Sequence, residues 1–259
     1  MEIRVLGCHG SQLPGYKTTC FLLNGRILLD GGTITSVLTA EEQLNIEYVF
    51  VTHAHLDHIS DIMFLADNLC YLQRERPLVV LSTPNIIATL RYYLFNGVIW
   101  PDFSVIPGAE NPIIKFEAIS PGGTVSTAGL DITAIKVSHS VETVGYVIEA
   151  DEGIVIFMGD TGPTDEIWRI ARTKKKSLQA VFIETSLPND MQPLADMTGH
   201  LTPASLEREL SKLGDLHVPI YLYHMKAHLQ EVIRKELALL MNDNLRVLED
   251  GQILQIGAL

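Results

Sequence analysis

Cysteine is scarce in this chain: Cys8, Cys20 and Cys70 are the only three in 259 residues. They are odd in number and far apart, with no CxxC pair, which argues against a disulfide framework or a cysteine-built zinc site. They read as free, buried thiols of a cytoplasmic protein. Long apolar runs are missing too. No stretch approaches the ~20 residues needed to cross a bilayer. Met1-Glu2-Ile3-Arg4 lacks the basic and apolar regions of a signal peptide, so no membrane partner is expected. Positive charge is in deficit, with 19 Lys+Arg against 31 Asp+Glu and a formal net charge of −12. Such a surface repels phosphate backbones, so long nucleic acid is not an expected partner. The one basic run, Lys174-Lys175-Lys176, reads as a solvated helix end. No Pro/Gly-rich or low-complexity linker divides the chain, and residues 1–259 read as a single domain.

What is present is histidine concentrated in one place. Of nine histidines, three fall within six residues of Thr52-His53-Ala54-His55-Leu56-Asp57-His58, directly after the apolar run Tyr48-Val49-Phe50-Val51. A strand ending at Val51 releases the chain into a loop where His53 and His55, two apart, point the same way. Asp57 and His58 open the helix that follows. Imidazole with carboxylate suits Zn²⁺, Mn²⁺ or Fe, whereas Ca²⁺ takes oxygen alone. Four ligands facing two ways suggest two metals sharing one site.

The rest of the chain alternates strands and helices. Ile3 to Leu6 reads as a strand. Thr18 to Asp30 reads as a hairpin closed by a two-residue Asn24-Gly25 turn, with Asp30-Gly31-Gly32 either a tight turn or support for the site. Helices are expected at 36–44, His58–Arg74, 85–95, 164–173, 203–213 and 227–241. Further strands are expected at 47–51, 78–81, 113–119, 131–137, 144–150, 154–158, 179–184, 218–223, 245–248 and 252–256. Two β-rich halves, each followed by helices, imply an α+β fold: a four-layer αββα sandwich with sheets face to face and helices outside. The aromatic stretch Tyr92 to Pro101 fits core, a homodimer interface or a lid over substrate, and the sequence leaves these open. His9, His217 and His228 read as turn or surface residues.

Four later strands repeat one pattern, each running into a metal-type or acid/base residue: His139, Asp160, Glu184 and His224. In series they imply one rim lined with ligands. By valence, His53, His55 and His139 would hold one cation, Asp57, His58 and His224 the second, and Asp160 would bridge them. Each cation keeps an open position for water, as catalytic sites do.

In order and across nearly the whole chain, His53-x-His55-x-Asp57-His58, His139, Gly159-Asp160-Thr161 and His224 resemble the metallo-β-lactamase superfamily. Phe182-Ile183-Glu184-Thr185 and Gly199-His200-Leu201-Thr202 are similar to the signature of ribonuclease Z and the class II 3′,5′-cyclic-nucleotide phosphodiesterases. Tyr223-His224-Met225-Lys226 and Leu94 to Pro101 lean to the phosphodiesterases, and Ser138-His139-Ser140 with Gly145-Tyr146 to ribonuclease Z, whose tRNA-gripping arm is not visible here. The resemblance implies two divalent cations, zinc first with manganese or iron as alternatives. It also implies a small phosphodiester substrate, most closely cAMP or cGMP. A hydroxide shared by the metals and held by Asp57 would attack phosphorus, with His200 as general acid steadied by Glu184. Alternatives are a ribonuclease Z-like or other small phosphodiesterase, a non-catalytic metal- or nucleotide-sensing module, and a thioester or lactone hydrolase. One position departs from the pattern. Asp61 stands where the family usually has glycine, and a carboxylate at the pocket mouth would disfavour an anionic substrate.

Overall fold

The protein is described by a computed structural model over residues 1–174, 177–214 and 217–257, so Lys175 and Lys176 of the basic run lie outside the described residues. The chain begins with β1 (Glu2–Gly7), β2 (Cys20–Leu23) and β3 (Ile27–Leu29), an antiparallel meander. It continues through α1 (Ala40–Asn45), β4 (Tyr48–Phe50), α2 (Leu56–Ile59), α3 (Ile62–Tyr71), β5 (Leu78–Ser82), α4 (Pro84–Tyr93) and β6 (Ile114–Ala118), whose strands add in parallel. The second half opens with β7 (Thr124–Thr127), β8 (Leu130–Lys136), β9 (Val144–Ala150) and β10 (Gly153–Phe157), again antiparallel. Then come α5 (Glu166–Thr173), β11 (Leu178–Glu184), α6 (Gln192–Thr198), α7 (Pro203–Leu210), β12 (Ile220–Tyr223), α8 (Gln230–Leu239), β13 (Leu245–Val247) and β14 (Ile253–Gln255). Strands β10 to β13 are parallel, while β14 crosses to pair with β1. The result is two seven-stranded sheets, ordered β14-β1-β2-β3-β4-β5-β6 and β13-β12-β11-β10-β9-β8-β7.

Strands such as Cys20–Leu23 and Ala180–Ile183 are buried on both faces, as parallel and central strands covered by helices require. Between the sheets Phe21 meets Phe157, Phe182 and Tyr223 edge-on, with ring centroids 5.1, 5.7 and 5.4 Å apart. α3 and α4 cover the outer face of the first sheet with Leu65, Leu69, Ile86 and Leu90. Trp168, Leu206 and Ile233 from α5, α7 and α8 cover the second. This is the expected αββα sandwich.

Local departures have local causes. Residues 36–38 are not helical; α1 starts at Ala40 because Thr39 and Glu42 form a capping box. The helix expected over His58–Arg74 is two helices, broken at Ser60-Asp61. There the 31–35 loop inserts: Gly31 N–H donates to His58 O at 2.6 Å and Asp61 N–H to Gly31 O at 2.9 Å. The hairpin pairs Leu23 with Ile27, leaving three residues in its turn rather than two; Asn24 and Gly25 both take positive φ. β7 and α6 were not expected, and the segments expected as helix at 211–213 and 227–229 are 3₁₀ turns. Cys70 is only half-buried, and all three cysteines are free. No helix among the described residues is long and apolar enough to cross a membrane.

Phe21 is fully buried at the centre of the inter-sheet core. Phe21→Ala is expected to lower the unfolding free energy by about 3–5 kcal/mol, read from urea denaturation. A loss below about 1 kcal/mol would contradict this account of the core.

Candidate metal centre

Ligand-bearing loops gather at the C-terminal ends of the parallel strands, where α/β folds place their sites. β3 runs into Asp30, whose φ of 58° turns the chain sharply. Its buried carboxylate accepts from Thr52 N–H at 2.7 Å and Thr52 Oγ1–H at 2.9 Å just past β4, and from His58 Nδ1–H at 2.7 Å. Asp30 is therefore support for the site, the reading that the sequence left level with a simple turn. Thr52 Oγ1 in turn lies 3.0 Å from His53 Nδ1, and Gly199 O accepts from His139 Nδ1–H at 2.8 Å. In each case the outer ring nitrogen is occupied, which turns the inner one, Nε2, toward the centre.

Those inner atoms converge. His53 Nε2 is 3.0 Å from His55 Nδ1, which is 3.4 Å from His139 Nε2. His58 Nε2 is 3.1 Å from His224 Nε2, and His224 Nε2 is 3.2 Å from Asp57 Oδ2. Asp160 Oδ2 lies between the two groups, 3.8 Å from His53 Nε2, 3.4 Å from His58 Nε2 and 3.2 Å from His224 Nε2. The structure thus brings His53/His55/His139 and Asp57/His58/His224 together, with His53/His58/Asp160 linking the two groups.

The donor set fits divalent cations. Lone pairs of neighbouring imidazoles face one another at hydrogen-bond distance, and Asp160 Oδ1 is buried without a partner, a costly arrangement unless a cation fills it. Burial holds His53, His55 and His139 below the ordinary histidine pKa, keeping them neutral as ligands must be. Burial would also lower His58, but Asp160 and Asp30 outweigh it and raise its pKa; a proton there takes the place of a cation. Burial opposes charge on Asp57 and Asp160, yet the surrounding histidines hold both carboxyls below the usual range.

Beside the centre, His200 Nδ1 sits 2.6 Å from Glu184 Oε1, both buried. Burial lowers the His200 pKa, but the Glu184 charge and hydrogen bond outweigh it and raise it above 6.5. Two residues on, Thr202 caps α7, which fixes the chain on the far side of His200. Thr161 N–H donates to Glu184 Oε1 at 3.1 Å, tying the Asp160 loop to the pair.

Asp61 does not present a free carboxylate to the pocket mouth, contrary to expectation. It accepts from the Ile34 N–H, from Thr35 N–H at 2.6 Å and from Thr35 Oγ1–H at 2.7 Å, bracing the 31–35 loop. His9 lies beside the His224 backbone, where Cys8 O accepts from His224 N–H at 2.7 Å and Met225 O from Gly10 N–H at 3.2 Å, but its ring turns to Asp250 at 3.2 Å. His217 and His228 are exposed. In the aromatic stretch Phe95 is core and Trp100 Nε1–H donates to Met63 O at 3.0 Å, while Tyr92, Tyr93, Val98 and Ile99 are exposed. The sequence did not point to Thr52 or Ser186; a hydroxyl one or two residues from a predicted ligand on a strand end was the signal to follow.

A family model described as "Beta-lactamase superfamily domain" matches residues 26–225. A 3′,5′-cyclic-nucleotide phosphodiesterase of Aliivibrio fischeri is 26% identical over 256 residues, covering 82% of this chain and 75% of that protein. A ribonuclease Z of Thermococcus sibiricus is 27% identical over 123 residues, covering 47% of this chain and 37% of that protein. Among solved structures, unliganded yeast PDE1 superposes with a TM-score of 0.81 at 20% identity, covering 96% of this chain and 98% of that one.

Cations held by this centre would bind the folded chain and not the unfolded one, so zinc should raise the melting temperature and EDTA should reverse the gain. At one hundred times Kd the stabilisation is about 2.7 kcal/mol per site. A melting temperature indifferent to both, followed by calorimetry, would contradict the centre.

Proposed function

This chain belongs to the β-lactamase superfamily, and from that premise we propose that it is a two-metal phosphodiesterase acting on 3′,5′-cyclic nucleotides. The observation that carries this reading is the His200–Glu184 pair, 2.6 Å apart, set beside a seven-residue ligand cluster. A centre of metals alone serves many hydrolyses, whereas a proton donor beside it serves a leaving alkoxide. We assign zinc, with manganese or iron as alternatives, to His53, His55 and His139 on one side and to Asp57, His58 and His224 on the other, with Asp160 between. Bound there, the two cations would polarise the diester and lower the pKa of a water.

The residues do the rest. Asp57, kept ionised by His224 and His58, orients the attacking water and accepts its hydrogen bond. Glu184 holds the Nδ1–H of His200 and leaves Nε2 to deliver a proton to the departing 3′-oxygen. The groove beside His139 is lined by Glu142, Asp165 and Glu166 with Lys136 as its cation. That lining, with a net charge of −12, suits a small diester better than a polyanion. A ribonuclease Z-like activity is the second reading, favoured by the relative from Thermococcus sibiricus. The two sheets share one apolar core, which supports one domain over residues 1–259, and three free thiols fit a reducing cytoplasm.

The zinc-loaded protein is expected to hydrolyse cAMP and bis(p-nitrophenyl) phosphate. His200→Ala should lose about 10²–10⁴-fold on cAMP and little on the nitrophenyl diester, whose leaving group departs without a proton. The raised pKa of His200 means that it keeps its proton above pH 6.5. The cAMP turnover should therefore hold to higher pH than an unperturbed imidazole would allow and fall as pH rises through that pKa. Turnover of the artificial diester alone would contradict the cyclic-nucleotide assignment, and pre-tRNA cleavage in its place would favour the second reading.

A further inference from the structure

Glu184 touches more than His200. Its Oε2 lies 2.6 Å from Ser186 Oγ, two residues on and fully buried just past β11. The same hydroxyl lies 2.8 Å from His224 Nδ1, closer than its 3.3 Å to His200 Nδ1 and 3.1 Å to His224 O. A serine hydroxyl carries one proton and an ionised carboxylate can only accept. The proton therefore points to Glu184, and Ser186 Oγ is left to accept the Nδ1–H of His224. That commits Nδ1 outward and aims Nε2 at Asp57 Oδ2 and Asp160 Oδ2, each at 3.2 Å, where a cation held by the two carboxylates would take its lone pair.

The other wall of the centre has the same construction. Asp30 takes His58 Nδ1–H directly, and reaches His53 Nδ1 through Thr52 Oγ1 at 2.9 and 3.0 Å. Each wall thus has one buried carboxylate that orients one imidazole by contact and a second through a hydroxyl. On the β11 side the directly held imidazole is the proton donor rather than a ligand.

Building on the two-metal reading, we propose that Ser186 is a positioning residue that relays Glu184 to His224. One carboxylate then sets both the proton donor and a ligand of the second cation, so that acid and metal geometry are tied together. Outer partners of metal-bound imidazoles typically change metal affinity about 10–100-fold when removed.

The test uses the full chain with zinc competed against a chelator. Ser186→Ala removes only the hydroxyl, and Ser186→Cys keeps its bulk with a poor hydrogen-bonding group. Both are expected to weaken one of the two zinc sites about 10–100-fold and leave the other unchanged. In the zinc-loaded protein, where the cation takes Nε2, ¹⁵N NMR should find the His224 Nδ1–H protected from solvent exchange in the wild type and exchanging faster in both variants. Wild-type affinity at both sites in Ser186→Ala, or full rescue by Ser186→Cys, would overturn the relay, as would a wild-type protein that binds no zinc. A wild-type protein that binds two cations and hydrolyses no diester, with one site weakened in both variants, would uphold the relay and overturn the proposed activity.

Discussion

A buried carboxylate is costly unless something nearby carries the compensating charge or donates to every oxygen. This fold buries three around one set of imidazoles: Asp30, Asp160 and Glu184, each 0 or 1% exposed. Among the described residues none of the three pairs with a lysine or arginine. Asp30 and Glu184 are satisfied by outer ring N–H groups and hydroxyls. Asp160 is not, and its Oδ1 has no partner. The arrangement is balanced only when positive charge sits among the inner nitrogens, supplied by protons or by cations.

The sandwich makes that concentration affordable. Strands β3, β4, β8, β10, β11 and β12 all run toward one edge, so short turns after each deliver a polar residue to the same place while the strand behind it stays apolar. Tyr223 shows how closely the core and the site are joined: its ring lies in the inter-sheet core and its hydroxyl donates to Gly159 O at 2.9 Å, next to Asp160. Gly159 takes a φ of 65°, and a Cβ there would crowd Thr52 at 3.1 Å. Backbone shape and ligand placement are therefore one constraint.

Much of this was legible in the chain. The ligands stood out because histidine and aspartate at the end of an apolar strand contrast sharply with what precedes them, and the layer order followed from alternating strands and helices. What was hidden depends on partners distant in sequence. The break at Ser60-Asp61 exists because the 31–35 loop supplies N–H groups to Asp61, so the unbroken apolar spacing of Ile59, Ile62 and Leu65 concealed it. α6 buries only Ala195, and β7 is a half-exposed edge, so neither carries a periodic pattern. Thr52 and Ser186 are neutral hydroxyls, and their role appears only once carboxylate and imidazole are seen on either side.

The central claim is that imidazoles oriented by two buried carboxylates, Asp30 and Glu184, converge with Asp57 and Asp160 on a pair of cations. Anomalous diffraction from zinc-loaded crystals tests it most directly. The account predicts two peaks about 3.5–4 Å apart, one among His53, His55 and His139 and one among Asp57, His58 and His224, with Asp160 between them. A single peak, or zinc held instead by Cys8, His9 and Asp250, would contradict it.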